Sequence, residues 1–335
     1  MTFNGEVLGI VYLVQTLIGV LGNIFLIYHY SFHFITQKRP RRINLILIQL
    51  SFANAIFLLS RGIPTVIFSW EVNIFLSNAK CVIISYLQRA FRGLSLCTTC
   101  LLSSFQAIAI SPNSPKWVVL KVKSPQGIIP CCVFCWILNL LMDAALPVYG
   151  ARLIQNSTNI KGREKQDFCS VKPYDMNSLK FQIWKSFYDS VFVLLMAVIS
   201  GYMVVLLYQH HQQVQHIHIT RLFPRASPEI RATKAILLLV STFFFFNTTS
   251  CVLSNYSSYY EVSRPWLFYV PLFLSMSFQA VSPFVLISSE TWVPWEFCYF
   301  LQEMKDSCAT PITCQTHTEP QNQRFGRWER KLETI

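Results

Sequence analysis

Seven long apolar segments follow one another along the chain, separated by shorter polar stretches. Each has about 20 residues or more, the length of helix that crosses the hydrocarbon core of a bilayer. Their approximate bounds are 6–32, 43–69, 81–110, 126–149, 186–209, 234–256 and 266–288. The pattern predicts an all-α membrane protein in which residues 1–288 form a bundle of seven transmembrane helices. The polar remainder, 289–335, is predicted to be a largely disordered tail.

The distribution of Lys and Arg between the connecting segments indicates the orientation of the bundle. Eleven of these residues lie in three loops on one side, 33–42, 111–125 and 210–234. The opposite side holds only one in 70–80 and one in 257–265. Short cytoplasmic loops are enriched in Lys and Arg, so the N-terminus is expected outside and the tail in the cytoplasm. The 150–185 loop carries seven Lys and Arg on the outer side, but long loops obey the rule less.

Composition narrows the class of protein further. Hydrophobic residues make up 53% of the chain and charged residues 13%, against about 25% charged in soluble domains. The net charge of +12 comes from cations that flank the spans rather than line one folded face, so nucleic-acid binding is not predicted. The sequence has no phosphate-binding glycine loop, nucleophile elbow or zinc-protease motif, so we predict no enzyme and no cofactor. The histidine-rich run 210–218 lacks nearby acidic or Cys partners, which favours a solvated loop over a metal site.

Two cysteines and one asparagine are candidates for modification on the outer side. Of eleven cysteines, Cys81 and Cys169 fall in segments predicted to lie outside. A disulfide between them is predicted because such bonds persist in oxidising compartments, with two free thiols as the alternative. Asn156-Ser-Thr158 matches the N-glycosylation acceptor sequence in the same outer loop. Asn247-Thr-Thr249 also matches, but it lies inside a predicted span.

Ionisable residues inside the spans are the candidates for a ligand site, because a charge in the bilayer is costly unless it faces a cavity or a partner. Arg61 lies in the outer part of the second span, and Arg89 and Arg92 share one face of the third. Asp143 and Asp189 lie near the outer ends of the next two spans and are candidate counter-ions. A polar cavity open to the outside is predicted, with a purely structural Arg–Asp network as the alternative. The candidate ligand-binding residues are Arg61, Arg89, Arg92, Tyr86, Asp189 and Tyr188, with Trp184 as a further aromatic neighbour.

Several segments resemble the vomeronasal type 1 receptors, a family of G-protein-coupled pheromone receptors. The most distinctive is Arg92-Gly-Leu-Ser-Leu-Cys-Thr-Thr-Cys-Leu-Leu-Ser-Ser-Phe-Gln-Ala-Ile-Ala-Ile-Ser-Pro112, at the end of the third span. The second span over 45–64, the sixth over 231–242 and Ser282-Pro-Phe-Val-Leu-Ile287 in the seventh are similar as well. The resemblance covers residues 6–288.

This resemblance implies a plasma-membrane receptor for a small pheromone-like molecule, embedded in membrane lipids and signalling through a Gi/Go-class G protein. In that family the outer loop carries a glycan and a disulfide, here Asn156 and Cys81 with Cys169. The basic residues expected to face the G protein are Lys121, Lys123, Arg221, Arg225 and Arg231. A channel or transporter is the alternative, but it needs a continuous polar path, and the inner halves of the spans have few polar residues.

The chain departs from the wider rhodopsin-like pattern at several positions. It has Ile110-Ser-Pro112 where those receptors have Glu/Asp-Arg-Tyr, and Asn54 where they have an aspartate. Ser282-Pro-Phe-Val-Leu-Ile287 replaces Asn-Pro-x-x-Tyr, and the sixth span contains no proline. We therefore expect activation without the usual acid–arginine lock, sodium site or proline hinge.

Overall fold

The computed structural model describes residues 3–36, 42–70, 78–112, 114–144, 176–217, 228–260 and 266–289. Seven α-helices and no strands make up these described ranges. The helices are α1 (Phe3–Thr36), α2 (Ile43–Ser69), α3 (Asn78–Ile110), α4 (Pro115–Asp143), α5 (Met176–Ile217), α6 (Pro228–Tyr260) and α7 (Trp266–Ser289). Each is long and apolar enough to cross a membrane. The predicted all-α bundle of seven transmembrane helices is confirmed, whereas the predicted tail lies outside the described residues.

Helix α4 begins inside the segment that the sequence assigned to a loop. Ser114 has extended backbone angles and Pro115 takes the first helical position, which suits proline because its fixed φ is helical and that position needs no N–H donor. Lys121 and Lys123 therefore lie on the second and third turns of a helix. The prediction was too short because hydropathy reports only the apolar part of a helix, whereas backbone hydrogen bonds continue through polar turns. For the same reason α5 extends beyond the predicted 186–209.

Helix α3 is the centre of the bundle. It packs against α2, α4, α5 and α6, while α1 and α7 pack on each other and on α2. In its most apolar stretch 67% of the residues are buried, against 17% in α4 and 11% in α5. Lipid is therefore the main neighbour of α4 and α5, and protein is the main neighbour of α3.

Small residues bring α1 close to α2 and α7. A Cβ atom on Gly62 of α2 would overlap the side chain of Thr16, and one on Gly19 of α1 would lie 2.6 Å from Leu58 and 2.9 Å from the Cα of Ala280. Such residues let helix backbones approach within the membrane, where dispersion contacts drive association. The close packing holds α2, the helix that carries Arg61, against α1.

Candidate ligand-binding site

Arg61 of α2 and Arg92 of α3 come together in the outer half of the bundle. Arg61 is half-buried, and its Nη1 donates to Oε1 of Gln88 at 3.1 Å. Gln88 in turn donates to the carbonyl of Ser60 at 2.7 Å, which holds its amide in place. Gln88 and Arg92 are four residues apart and share one face of α3. The two guanidinium groups are close enough to act on each other electrostatically.

The side chain of Arg92 is exposed although it belongs to the most buried helix of the bundle. Its Nη2 donates to Oδ1 of Asn247 on α6 over 3.4 Å, which is long for a hydrogen bond. Both arginines therefore bond to neutral amide oxygens in these contacts, and not to the carboxylates predicted as counter-ions. An exposed guanidinium at this depth is costly in hydrocarbon, and Asn247 of α6 gives it a neutral hydrogen-bond partner.

A second group of candidate residues lies on the opposite side of α3, beside α4 and α5. The hydroxyl of Tyr86 donates to the carbonyl of Leu140 at 3.1 Å. The hydroxyl of Tyr188 lies 3.5 Å from Oδ1 of Asn139. Asp143 is buried and acts electrostatically on both tyrosines. The structure thus separates the predicted candidates into an arginine group and a tyrosine–aspartate group.

Three other predicted residues occupy different positions around these groups. Asp189 acts electrostatically on its neighbour Tyr188 and so belongs to the second group. Arg89 is half-buried on α3, one turn outward of Arg92. Trp184 is 57% exposed and packs beside Phe187, away from the hydrogen bonds of either group.

Three further residues that contact the arginine group were not predicted from the sequence. Gln88 and Asn247 are uncharged amides, so the cost of burying charge did not single them out. Tyr12 of α1 acts electrostatically on Arg61, and its hydroxyl donates to the carbonyl of Tyr269 at 2.7 Å. Two sequence features point to the amides. Gln88 lies four residues before Arg92, and Asn247 is a single amide after the four phenylalanines 243–246.

A neutral hydrogen-bond network lies deeper in the bundle, below the arginines. Asn54 of α2 donates to Oγ of Ser282 on α7 at 2.9 Å and accepts from Oγ of Ser95 on α3 at 2.6 Å. Asn23 of α1 joins α7 by donating to the carbonyl of Gln279 at 3.0 Å. All five side chains are at most 1% exposed. Three helices therefore meet at Asn54 without any charged group in these bonds.

A second set of neutral contacts joins the helices at the inner end. Gln106 of α3 donates to Oγ1 of Thr233 on α6 at 2.9 Å, with both side chains buried. Ser111 and the hydroxyl of Tyr202 on α5 are hydrogen-bonded at 3.1 Å, and the Tyr202 ring stacks on Trp117 of α4. Uncharged groups thus tie α3 to α6, and the residue that follows α3 to α5, while α5 in turn packs on α4.

Comparison with known proteins decides the family. The model of the vomeronasal organ pheromone receptor family matches residues 7–298. Human vomeronasal type-1 receptor 1 is 36% identical over 307 residues, which cover 91% of this chain and 86% of the relative. Vomeronasal type-1 receptor 4 of Pongo pygmaeus is 38% identical over 289 residues, covering 85% and 94%. The chain belongs to the vomeronasal type 1 receptor family.

The structural comparison agrees on the architecture of this vomeronasal type 1 family member. Squid rhodopsin superposes with a TM-score of 0.65 at 16% identity, over 94% of this chain and 90% of that one. At this identity the likeness establishes the fold alone, the seven-helix fold of G-protein-coupled receptors. The family consists of receptors and not enzymes, as the sequence predicts. The chain is a multi-pass membrane protein whose family implies a small-molecule ligand and a G-protein partner.

A cavity of about 500 Å³ in this family member lies apart from the arginines, between α1, α6 and α7. Its walls are apolar, and the exposed Ile10, Val14 and Ile18 open it toward lipid. Gln15 and Ser277 are the polar residues of its lining. It is therefore a groove on the lipid-facing surface and not the polar cavity predicted from the arginines.

Several predicted features of this vomeronasal type 1 chain fall partly or wholly outside the described residues. Cys81 is disulfide-bonded, but its predicted partner Cys169 is not among the described residues, so the pairing stays a prediction. Asn156, Arg221 and Arg225 also lie outside them. Arg231 is half-buried in the first turn of α6. Within the described ranges no group of three or more His, Cys, Asp or Glu side chains is arranged to hold a metal ion.

Proposed function

We propose that the chain is a chemosensory receptor of the plasma membrane that binds a small organic acid between Arg61 and Arg92 and signals through a Gi/Go-class G protein. The observation that carries the proposal is the exposed guanidinium of Arg92 on the central helix, beside a second guanidinium. Arg92 lies roughly 16 Å below Cys81 by helical rise. A ligand from the outside would meet it about halfway into the bundle.

Electrostatics favours an acidic group on the ligand. Two guanidinium groups in a poorly solvated space repel each other, and an anion placed between them replaces repulsion by two attractions. A carboxylate or sulfate also accepts the parallel N–H donors of a guanidinium, which makes the hydrogen bonds strong and directional. The long hydrogen bond between Arg92 and Asn247 is weak. Little free energy is therefore lost when a ligand replaces Asn247 as the partner of Arg92.

An aromatic ring beside the arginines suits the apolar body of such a ligand. Tyr12 of α1 is close enough to Arg61 to act on it electrostatically. Binding pockets for small molecules combine apolar and aromatic walls with a few polar groups that fix orientation. A compact hydrophobic acid matches this combination better than a polar metabolite does.

The basic start of α6 is the proposed contact for the G protein. Arg231 lies there, and Arg221 and Arg225 precede it in the chain. Agonist binding must favour one arrangement of the helices over another to change this surface. We propose that α6 transmits the change, because it contacts Arg92 through Asn247 and reaches the inner end at Thr233.

A matched panel of ligands tests the proposal. Cells that express the full chain and carry a Gi/Go reporter are exposed to small hydrophobic acids and to the neutral methyl ester of each acid. We expect an active acid to be at least about tenfold more potent than its ester, since a hydrogen bond to a charged group contributes about 1.5 kcal/mol or more. A toxin that inactivates Gi and Go is expected to abolish the response.

Three results would contradict parts of this proposal. Esters as potent as their acids would exclude the arginine pair as the recognition element. A response that survives the toxin would exclude Gi/Go coupling, and a toxin-resistant ligand-evoked current would favour a channel. Failure of the whole panel to activate receptor that antibody labelling finds at the cell surface would count against a small-acid ligand.

A further inference from the structure

The side-chain amide of Gln88 on α3 makes two hydrogen bonds, and both are to α2. Its Nε2 donates to the carbonyl of Ser60 at 2.7 Å, and its Oε1 accepts from Nη1 of Arg61 at 3.1 Å. Arg61 directly follows Ser60 in the chain. The backbone of α2 therefore holds the amide of Gln88, and that amide in turn holds the side chain of the next residue of α2.

A proline in α2 explains why the carbonyl of Ser60 accepts this bond. In an α-helix a carbonyl accepts from the backbone N–H four residues later. For Ser60 that residue is Pro64, which lies inside α2 and has no N–H. A backbone carbonyl left without a donor is costly in a membrane unless a neighbouring group supplies one. Gln88 supplies the donor, so the position of Pro64 determines where its amide is held.

The acceptor that Gln88 presents to Arg61 is uncharged. In the described part of the chain the guanidinium of Arg61 has no carboxylate partner. A carboxylate at the same place would form a strong ion pair with the guanidinium and would offset its attraction for an acidic ligand. The amide oxygen of Gln88 instead orients the guanidinium and leaves its positive charge uncompensated. The guanidinium also has further N–H donors, which can bond to a ligand.

Holding Arg61 in advance matters because an arginine side chain is long and flexible. Ordering it costs rotamer entropy, and a site that is ordered before its ligand arrives binds more tightly. Arg92 is held less closely, because its bond to Asn247 is 3.4 Å long. Of the two arginines, Arg61 is therefore the one that the fold places beforehand.

We propose that Gln88 is a positioning residue that holds the guanidinium of Arg61 in place for the acidic group of the ligand and keeps it uncompensated. This inference rests on the proposed acid site between Arg61 and Arg92. Gln88 acts through Arg61 and not by touching the ligand. It sets the strength of binding and the preference for an acid over a neutral molecule.

Two substitutions of nearly equal size separate the two roles of Gln88. The full chain is tested in the Gi/Go reporter cells with octanoate and phenylacetate, each beside its methyl ester. Gln88→Met removes both hydrogen bonds and should lower the potency of the active acid about fivefold, with its ester unchanged. Gln88→Glu places a carboxylate beside Arg61 and should lower acid potency at least about tenfold, so that acid and ester become nearly equal.

A control variant and a double variant distinguish positioning from general damage. Gln15 is also a half-buried glutamine of the outer half, but its amide donates to Phe273 and Ser277 of α7. Gln15→Met should leave both potencies unchanged. Combined with Arg61→Gln, Gln88→Met should lower acid potency no further, because its effect passes through Arg61. Surface labelling and the midpoint of thermal unfolding are measured for every variant.

The outcomes separate this inference from the proposed function. Acids that are inactive, or no more potent than their esters, on the unchanged receptor would contradict the acid site and this inference with it. An acid preference that survives in both Gln88 variants would contradict the role of Gln88 alone. Equal losses for acid and ester, or a further loss on top of Arg61→Gln, would make Gln88 only a structural link between α2 and α3. If Gln88→Met does not reach the cell surface, Gln88→Asn decides, because the shorter amide cannot reach both partners and should lower acid potency alone.

Discussion

The outer and inner parts of α3 carry polar side chains of opposite character. In the outer part, Gln88 and Arg92 are half-buried or exposed, with hydrogen bonds to Arg61 and Asn247 of 3.1 and 3.4 Å. Further in, Ser95 and Gln106 are at most 5% exposed, with partners at 2.6 and 2.9 Å. One helix therefore has an exposed, charged side chain with a long hydrogen bond in its outer part and neutral, buried side chains with short hydrogen bonds further in.

The difference matters because the free energy lost with a hydrogen bond depends on whether the polar group is buried or exposed. A buried polar group that loses its partner cannot recruit water, so it costs its full desolvation free energy. An exposed group with a long bond exchanges its partner at little cost. We infer that the inner polar groups join the helices, whereas the outer ones are available to a ligand. Matched substitutions in the two regions test this separation.

The largest expected effect on stability comes from Asn54→Leu. It leaves the hydroxyls of Ser95 and Ser282 without this partner in a fully buried place. We expect the free energy of unfolding to fall by about 2 kcal/mol. Asn247→Leu makes the same change in the outer region, where Asn247 is half-buried. It should lower the free energy of unfolding by less than about half of that amount. Thermal unfolding of both purified variants measures the contrast, and equal losses would contradict the separation.

A smaller effect is expected on basal signalling from Gln106→Leu. The change removes the hydrogen bond between α3 and α6 at the inner end. A membrane side-chain hydrogen bond contributes about 0.6 kcal/mol, so ligand-independent activity should rise about threefold. Thr233→Ser keeps the hydroxyl and should keep the basal level.

Gln49→Leu is the matched control for this prediction. Gln49 is also buried, and it joins α2 to α3 through Thr98 at 2.9 Å without involving α6. It should leave basal activity unchanged in the same Gi/Go reporter assay. An equal rise for Gln49→Leu would mean that loss of packing, and not release of α6, raises the activity.

The smallest expected effect is that of Tyr86→Phe. It removes the bond to the carbonyl of Leu140 in the outer region, where Tyr86 is half-buried. We expect a loss of at most about 0.6 kcal/mol in the free energy of unfolding. Tyr28→Phe is the control, because Tyr28 is 63% exposed on α1. A loss for Tyr86→Phe as large as that for Asn54→Leu would show that the outer bonds hold the helices after all.

The architecture could be predicted from the sequence because a helix that spans the bilayer must have a minimum length and an apolar composition. Hydropathy predicted seven spanning helices, and the described part of the chain contains seven. It failed at the start of α4, where Lys121 and Lys123 made a helical segment look like a loop. Charge marks where a helix leaves the hydrocarbon and not where its backbone hydrogen bonds end.

The candidate site could be predicted only in part, because the residues that contact one another there come from helices distant in the sequence. The cost of intramembrane charge singled out Arg61 and Arg92, but no local pattern shows that they meet. At the inner end, the polar link between α3 and α6 is Gln106. It lies one turn before Ile110-Ser-Pro112, where the chain departs from the Glu/Asp-Arg-Tyr of rhodopsin-like receptors. Uncharged amides such as Gln106 and Asn247 acquire their roles only from the packing of α6 on α3.

The most direct test of the central claim compares Arg92→Gln with Lys80→Gln in cells that respond to an active acid. Both variants lose one positive charge from an exposed position on α3. Potency, antibody-labelled surface receptor and the midpoint of thermal unfolding are measured for each. We predict that Arg92→Gln lowers potency about 10- to 100-fold with normal surface level and stability, while Lys80→Gln changes none of these. Unchanged potency for Arg92→Gln at normal surface level would contradict the claim that the outer arginines bind the ligand.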